Sequence, residues 1–398
     1  MRYEVGERVT LFNGDALTAL RSMPSETVQC CVTSPPYWGL RDYGTEGQIG
    51  LEAAPDEYVA ALVEVFREVR RVLRDDGTLW LNLGDSYAGR RAGAQGSEGL
   101  MATRAAALYG IRERNEDRLP EGLKPKDLVG IPWRVAFALQ ADGWWLRSDI
   151  IWAKPNPMPE RSRPTKAHEY VFLLSKSERY FYDADAIAEA ALPGARLSNG
   201  GHDVGADRQD NGRHDPTSIV SRNRRSVWTI TTKPYAGAHF ATFPPELPEL
   251  CIKAGTSERG CCPLCAAPWE RVVEPTGVVL KKPATSIAER RGNAVNDKRT
   301  ALSGTQVTPA SSKIIGWLPS CDCEQEEEGD GILIERPDQP TDRYVHHPEP
   351  YVVLDPFAGA GTTLWMAKEL GRKSVGIEIN PGYCRLIEER CAQGVLAL

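Results

Sequence analysis

Three groups of residues in this chain have types and spacings that could do chemistry. The first is Ser34-Pro35-Pro36-Tyr37, which ends the apolar run at residues 28–32. Two prolines remove two backbone donors and stiffen the chain, so the segment reads as a rigid spur at the end of a buried strand. It presents a hydroxyl, carbonyl oxygens and an aromatic face. A proline-rich turn that only closes a strand would look the same in isolation. The second group is Asp355-Pro356-Phe357-Ala358-Gly359-Ala360-Gly361-Thr362-Thr363. It lies between a strand pattern at 351–354 and a helical pattern at 364–370. Glycines in such a turn let the backbone approach a ligand, and the helix N-terminus favours a negatively charged group. The next strand pattern ends at Glu378, where folds of this kind hold ribose hydroxyls. A dinucleotide is disfavoured, because Gly361 is followed by Thr362-Thr363-Leu364 and the third glycine of Gly-x-Gly-x-x-Gly is missing. The third group is the pair Cys262 and Cys265 with the pair Cys321 and Cys323. Four thiolates from two close pairs could form one tetrahedral site, with structural zinc as the expected occupant. Reduced free thiols and a redox Cys-x-x-Cys pair are the alternatives. Cys30 and Cys31 fall inside a strand pattern and are read as core.

Alternating elements must position these groups. "RVTLFNGDAL" reads as a strand ending in a turn at Asn13-Gly14-Asp15, followed by a short helix, and "TVQCCVT" is the strand before the spur. Over residues 55–74, Tyr58, Leu62, Val65, Phe66, Val69, Val72 and Leu73 recur at helical spacing, so an amphipathic helix is expected, stopped by Gly77. "TLWLNLGD" is the next buried strand, and "GWWLRSDIIWAKPNP" returns to strand patterning before a proline-rich break. Strands alternating with helices imply a mostly parallel sheet covered on its faces. Residues 89–125 and 192–222 are weakly periodic and read as long loops.

The bulk numbers set bounds. A length of 398 residues allows two or three domains. A net charge of −6 argues against indiscriminate binding of polyanions. Yet residues 216–245 contain no acid and carry Arg222, Arg224, Arg225 and Lys233, a local basic surface suited to nucleic acid or an ordinary solvated loop. No apolar run approaches the roughly 18 residues of a membrane span, and the N-terminus has no signal-peptide core. A cytoplasmic protein with reduced or metal-bound thiols, and no membrane partner, is expected.

On these residues the chain resembles the β class of DNA amino-methyltransferases. "DPFAGAGTT" is similar to their S-adenosylmethionine motif, "TSPPYWG" to their catalytic motif, and "HFATFPPEL" (239–247) to the segment that completes the methionine pocket. The spur near the N-terminus and the glycine turn near the C-terminus match the permuted order of that class. The resemblance implies an α/β, Rossmann-like S-adenosylmethionine-dependent methyltransferase fold, circularly permuted. It does not explain residues 89–125 or 256–345, and the latter is read from its own residues as a small Cys-rich insertion. The resemblance implies a catalytic half at 1–88 and 126–190, separated by an insertion or mobile loop at 89–125. A target-recognition region at 191–235 and a cofactor half at 236–255 and 346–398 complete the division. S-adenosylmethionine would lie against Asp15, Phe240, Thr242, Asp355, Phe357, Gly359, Gly361, Thr362, Thr363 and Glu378. Asp15 would sit near its adenine ring and Glu378 at its ribose. Ser34, Pro35, Pro36 and Tyr37 would form the catalytic spur, and Lys154, Arg222, Arg224, Arg225 and Lys233 would contact DNA.

The implied chemistry suits the spur. An exocyclic amine is a poor nucleophile because its lone pair is delocalised into the base. Acceptors aimed at its hydrogens favour the pyramidal nitrogen that attacks a sulfonium methyl. The Ser34 hydroxyl and the Pro35 carbonyl are such acceptors, and Tyr37 offers a face to an extruded base. Methylation at cytosine carbon 5 is disfavoured, since the chain has no Pro-Cys pair. In the family a leading Ser leans towards cytosine N4, with adenine N6 as the alternative. A DNA-binding regulator without catalysis is a further alternative, against which the intact motifs argue. The resemblance implies double-stranded DNA as partner, and leaves room for a homodimer and for a cognate restriction endonuclease acting on the same site.

Overall fold

The computed structural model describes residues 1–40, 44–88, 122–190, 221–232, 243–275, 312–323, 332–334 and 343–392. Lys233, Phe240, Thr242 and most of the two expected loops lie outside the described residues. Two compact units are present. The first comprises Met1–Ile187, Arg225–Trp269 and Pro319–Leu398, and the second Ala188–Arg224 and Glu270–Leu318. The division differs from the sequence expectation, which kept 191–235 and 256–345 as separate regions. Contacts distant in sequence draw parts of both into one unit, while both cysteine pairs stay with the first.

In the first unit the chain forms β1 (Arg2–Val5), β2 (Val9–Asn13), α1 (Ala16–Ser22), β3 (Val28–Thr33), α2 (Pro55–Val72) and β4 (Leu73–Leu83). After α3 (Ile131–Ala141) come β5 (Trp145–Ala153) and β6 (His168–Ser175). The second unit holds the pair β7 (Glu189–Ala190) and β8 (Ser221–Arg222). The chain continues through β9 (Val227–Thr229), α4 (Glu246–Gly255), the paired β10 (Trp269–Pro275) and β11 (Ser312–Pro319), and the paired β12 (Ile332–Ile334) and β13 (Arg343–Val345). It closes with β14 (Val352–Asp355), α5 (Thr362–Glu369), β15 (Lys373–Glu378) and α6 (Pro381–Ala392).

Nine strands make one sheet in the order β1-β2-β15-β14-β3-β4-β6-β5-β9. The run from β2 to β4 is parallel, while β6 is antiparallel to both neighbours. Both faces are covered, as the sequence predicts for such a sheet. Cys31, Leu79, Leu81, Phe172 and Leu174 point into a cluster with α1, α2 and α3. Their strand neighbours Cys30, Trp80, Val171 and Leu173 point into a second cluster with α4 and α5. This is the period-two alternation of a strand, with apolar residues on both sides.

The amphipathic helix forms where its spacing places it, and it buries Tyr58, Leu62, Val65, Phe66, Val69 and Val72. Its end differs from the sequence expectation. Leu73 already pairs with Val28, and Thr78 pairs with Cys30 after a register break, so Gly77 lies within β4 rather than stopping a helix. Strand pairing overrides the local stop signal. Helices α3, α4 and α6 and strand β6 had no counterpart in the sequence analysis. Short apolar runs such as "HEYVFLLS" do not reveal by period alone whether they are helix or strand.

From β14 the chain crosses through α5 to β15 on one side, and from β3 through α2 to β4 on the other. Strand order therefore reverses between β14 and β3, which opens a crevice beyond their carboxyl ends. No helix among the described residues is long and apolar enough to cross a membrane.

Candidate active site

A cavity of about 590 Å³ fills that crevice. Its walls come from the segments that follow β2, β15, β14 and β3, from the end of β4, and from β5 and β6. Asp15, Ser34 to Tyr37, Asn82, Trp152, Lys154, Glu169, Phe243, Asp355, Phe357, Gly359, Thr362 and Glu378 all line it. The spur and the glycine turn, more than 300 residues apart in sequence, thus share one cavity.

The glycine turn is built from backbone geometry and two buried acids. Gly359 and Gly361 have φ of 52° and 72°, in the left-handed region that side chains disfavour. A Cβ on Gly359 would meet no protein atom closer than the Phe357 carbonyl at 4.0 Å, so this glycine keeps the cavity side of the turn bare. Its amide donates to Glu378 Oε2 at 2.8 Å, and the Asn380 amide donates to Oε1 at 2.8 Å. Burial nevertheless raises the Glu378 carboxyl to about 7, against the pull of those amide bonds. Burial likewise raises Asp355 to about 6, while Thr33, Thr363 and the Phe357 amide pull it back. The Thr33 hydroxyl donates to Asp355 Oδ1 at 2.7 Å, which ties the residue before Ser34 to the strand end before the glycine turn.

Two residues expected at the cofactor sit elsewhere. Gly361 and Thr363 do not line the cavity. Gly361 caps α5 against α6, where a Cβ would come 2.9 Å from Ile387 Cγ1. The Thr363 hydroxyl donates to the Val32 carbonyl at 3.2 Å and so fastens α5 to β3. Gly361 and Thr363 position the turn, while Asp355, Phe357, Gly359 and Thr362 face the space. Asp15 lines the cavity while capping α1, its Oδ1 accepting from the Thr18 amide at 2.8 Å and the Thr18 hydroxyl at 2.7 Å.

The spur is fixed at several points. The Tyr58 hydroxyl donates to the Pro36 carbonyl at 2.8 Å, and Trp38 Nε1 donates to the Glu52 carbonyl at 3.0 Å. The Tyr37 ring rests on Gly84, where a Cβ would come 2.5 Å from Cε2. Its hydroxyl donates to Glu169 Oε2 at 2.8 Å and lies 3.2 Å from Asn82 Oδ1. Burial, with the Glu169 charge adding to it, pushes the phenol well above its ordinary range, so Tyr37 stays neutral. The Ser34 hydroxyl donates only a long bond of 3.5 Å to Tyr37, which leaves its lone pairs as acceptors.

Glu169 organises this wall. Lys154 forms an ion pair with its Oε1, and Asn82 Nδ2 donates to Oε2 at 3.3 Å. The Lys154 ammonium also stands 4.3 Å from the centre of the Trp152 ring. Lys154, expected at DNA, is therefore a cavity residue held by a carboxylate.

Asn82, Glu169 and Thr33 were missed in the sequence. Asn82 had a signal, as a lone amide in the apolar run "TLWLNL". Glu169 had none without the strand β6 that carries it.

Of the other predicted contacts, Arg222 lies in the second unit and pairs with Glu189 at 2.9 Å. An acid from outside the acid-free stretch thus answers one of its charges. Arg224 closes that segment of the second unit, and Arg225 begins the return to the first, where its carbonyl accepts from Trp228 Nε1 at 2.9 Å. Cys262, Cys265, Cys321 and Cys323 come together, and none of them lines the cavity.

Residues 28–262 and 346–389 match the family model for N6/N4 methyltransferases, described as DNA methylase. The chain belongs to this DNA methylase family. It is 51% identical over 249 residues to the Type II methyltransferase M.Cfr9I of Citrobacter freundii, covering 62% of this chain and 72% of that protein. It is 48% identical to the Type II methyltransferase M.SmaI of Serratia marcescens, covering 62% and 75%. The PvuII DNA methyltransferase, described as cytosine-N4-specific, shares the fold with a TM-score of 0.51 at 15% identity, over 98% of this chain and 89% of that one. The protein is a Type II DNA methyltransferase of the N4/N6 family, with DNA as partner.

Proposed function

We propose that this DNA methyltransferase transfers the methyl group of S-adenosylmethionine to the N4 amine of cytosine in duplex DNA. The observation that carries the reading is the shared cavity, with the Ser34 hydroxyl and the bare backbone of Gly359 facing one space. Glu378 receives the ribose hydroxyls on the lone pairs that Gly359 and Asn380 leave, and Phe357 and Asp15 bound the adenine. S-adenosylmethionine, held there, would supply an electrophilic sulfonium methyl to an amine held at the spur. A target base extruded from the duplex enters from the Tyr37 side. The Ser34 hydroxyl and the Pro35 carbonyl accept the two amine hydrogens, which turns the nitrogen lone pair towards the methyl. The nitrogen displaces S-adenosylhomocysteine, and its surplus proton leaves through the same acceptors to water. No covalent enzyme intermediate is required.

Lys154 is the cationic donor of this wall, suited to an acceptor on the base edge next to the amine. Both bases offer a ring nitrogen there, N3 in cytosine and N1 in adenine, so this contact serves either. The leading Ser34 supports cytosine. Type II relatives make a cognate endonuclease for the same sequence the expected companion. The test is transfer of labelled methyl groups to duplex DNA, followed by nuclease digestion and chromatography of the nucleosides. Label in N4-methylcytosine is expected. Label in N6-methyladenine would reverse the base assignment and leave the mechanism standing.

A further inference from the structure

Four cysteines gather at a place that methyl transfer does not use. The thiols of Cys262, Cys265, Cys321 and Cys323 all lie within 4.8 Å of one another. Sulfurs of a tetrahedral site with bonds of about 2.3 Å stand about 3.8 Å apart, so the spread is that of a four-thiolate cage. Cys262 is buried, and the other three are half-buried.

The backbone around them is shaped as a knuckle. The Ala266 amide donates to the Cys262 carbonyl at 2.8 Å, and the Cys262 amide donates to the Ala267 carbonyl at 2.9 Å. Ala266 itself has φ of 53°, a left-handed conformation uncommon outside glycine. Such strain persists where surroundings over-determine it. The second pair is brought in by the Ser320 amide, which donates to the Pro268 carbonyl at 2.9 Å.

The location gives the cluster a purpose. Glu270–Leu318 belongs to the second unit, and the cysteine pairs stand just before and just after it in the first. They mark the root of a long excursion. The described residues that flank 89–121 are tied by backbone bonds. There the Ala88 amide donates to the Asp127 carbonyl at 2.8 Å, and Asp85 Oδ1 accepts from the amides of Gly130 and Ile131 at 2.9 and 3.0 Å. At the cysteine root the Ser320 bond and the pairing of β10 with β11 stand beside four thiols. Closing a long loop costs entropy that a cross-link offsets. The match to the DNA methylase family also stops at residue 262 and resumes at 346, so the cluster accompanies an addition to the family's fold.

We infer that Cys262, Cys265, Cys321 and Cys323 bind one zinc ion that clasps the root of this excursion. Each thiol loses its proton on ligation, so zinc uptake releases protons to solvent. Four thiolates fill the tetrahedron and leave no position for water or substrate, which makes the ion structural. The clasp also reaches the catalytic sheet. Cys261, beside the first ligand, exchanges two backbone bonds with Glu349 at 2.9 and 2.8 Å, three residues before β14. Arg74 at the start of β4 donates to the Cys265 carbonyl at 2.7 Å. The ion thus fixes the amino ends of two strands whose carboxyl ends carry the cavity.

Metal analysis of the full chain, purified without chelator, tests this. About one zinc per chain is expected, released by a mercurial thiol reagent and counted with a chromophoric chelator. Cobalt exchanged into the wild-type protein should give the intense visible absorption of a tetrahedral tetrathiolate. Cys265→Ser and Cys321→Ser should each lower the zinc content towards none, and limited proteolysis should then cut within residues 270–318. Stripping zinc should lower the melting temperature, and adding it back should restore it. The inference is overturned if the wild-type chain carries no zinc and gives no tetrathiolate cobalt spectrum, which needs no variant to fold. Isolation as an iron protein would overturn it equally. Neither result touches the base assignment, which is read from labelled nucleosides.

Discussion

Two carboxylates face the same cavity and are held in different ways. Glu378 stands at the end of β15 with one oxygen on the Gly359 amide and the other on the Asn380 amide. Its partners are backbone, within twenty residues in sequence, and no cation is among the causes that set its carboxyl near 7. Glu169 stands near the start of β6 and is held by side chains from three other places, Lys154, Tyr37 and Asn82. A turn holds the first acid by its own geometry, so it can form a ligand site with few further partners. The second depends on four side chains being packed at once, and it is a property of the assembled sheet. The wall at Glu378 is local, and the wall at Glu169 is collective.

The largest expected effect breaks the local wall. Gly359→Val places a branched side chain at φ 52° and points it into the cavity. S-adenosylmethionine binding by calorimetry should be lost while thermal melting still shows a folded chain. Unchanged binding would refute the assignment of this turn to the cofactor.

Ser34→Ala breaks the other wall at one acceptor. Turnover should fall by about two orders of magnitude, the size of losing one hydrogen-bonding group that acts in the transition state. The cofactor dissociation constant should stay within about twofold. Equal losses in turnover and cofactor affinity would mean that the hydroxyl serves the cofactor instead.

The pH dependence sharpens the contrast. Burial disfavours the ionised Glu378, so its cost to the fold is present above about pH 7 and is relieved as pH falls. Ribose hydroxyls favour the ionised form. Cofactor binding should therefore expel the proton below about pH 7, and affinity should drop by up to about tenfold per pH unit there. Asp355, raised to about 6, joins below that value. Glu378→Gln should bind more weakly at pH 8 and lose the step near 7, measured by calorimetry from pH 6 to 8. A wild-type affinity flat across that range would sink the ribose role.

The smallest effects dissect the collective wall. Tyr37→Ala should weaken binding of duplex carrying an extruded base by about 1–3 kcal/mol, the range of lost stacking. Tyr37→Phe keeps the ring and removes the Glu169 bond, so it should cost less in binding and lower turnover by a few-fold. If the two variants behave alike, the hydroxyl rather than the ring carries the role.

The sequence by itself determined the glycine turn with its strand-end acid, and the spur. Both are contiguous, and glycine, proline and a strand-end acid act through local backbone geometry that residue type dictates. The strand that carries Cys30 and Cys31 as core residues and the stripe of α2 were legible for the same reason. Only the tertiary structure decided which residues of the glycine motif face the cavity, since Gly361 and Thr363 are claimed by Ile387 and Val32. It also placed Lys154 in the cavity, paired with Glu169. It joined Thr33 to Asp355 across the reversal of strand order, and it gathered four cysteines from two distant pairs. These depend on which strands become neighbours, and strand order is set by burial over the whole sheet, which no local window of sequence contains.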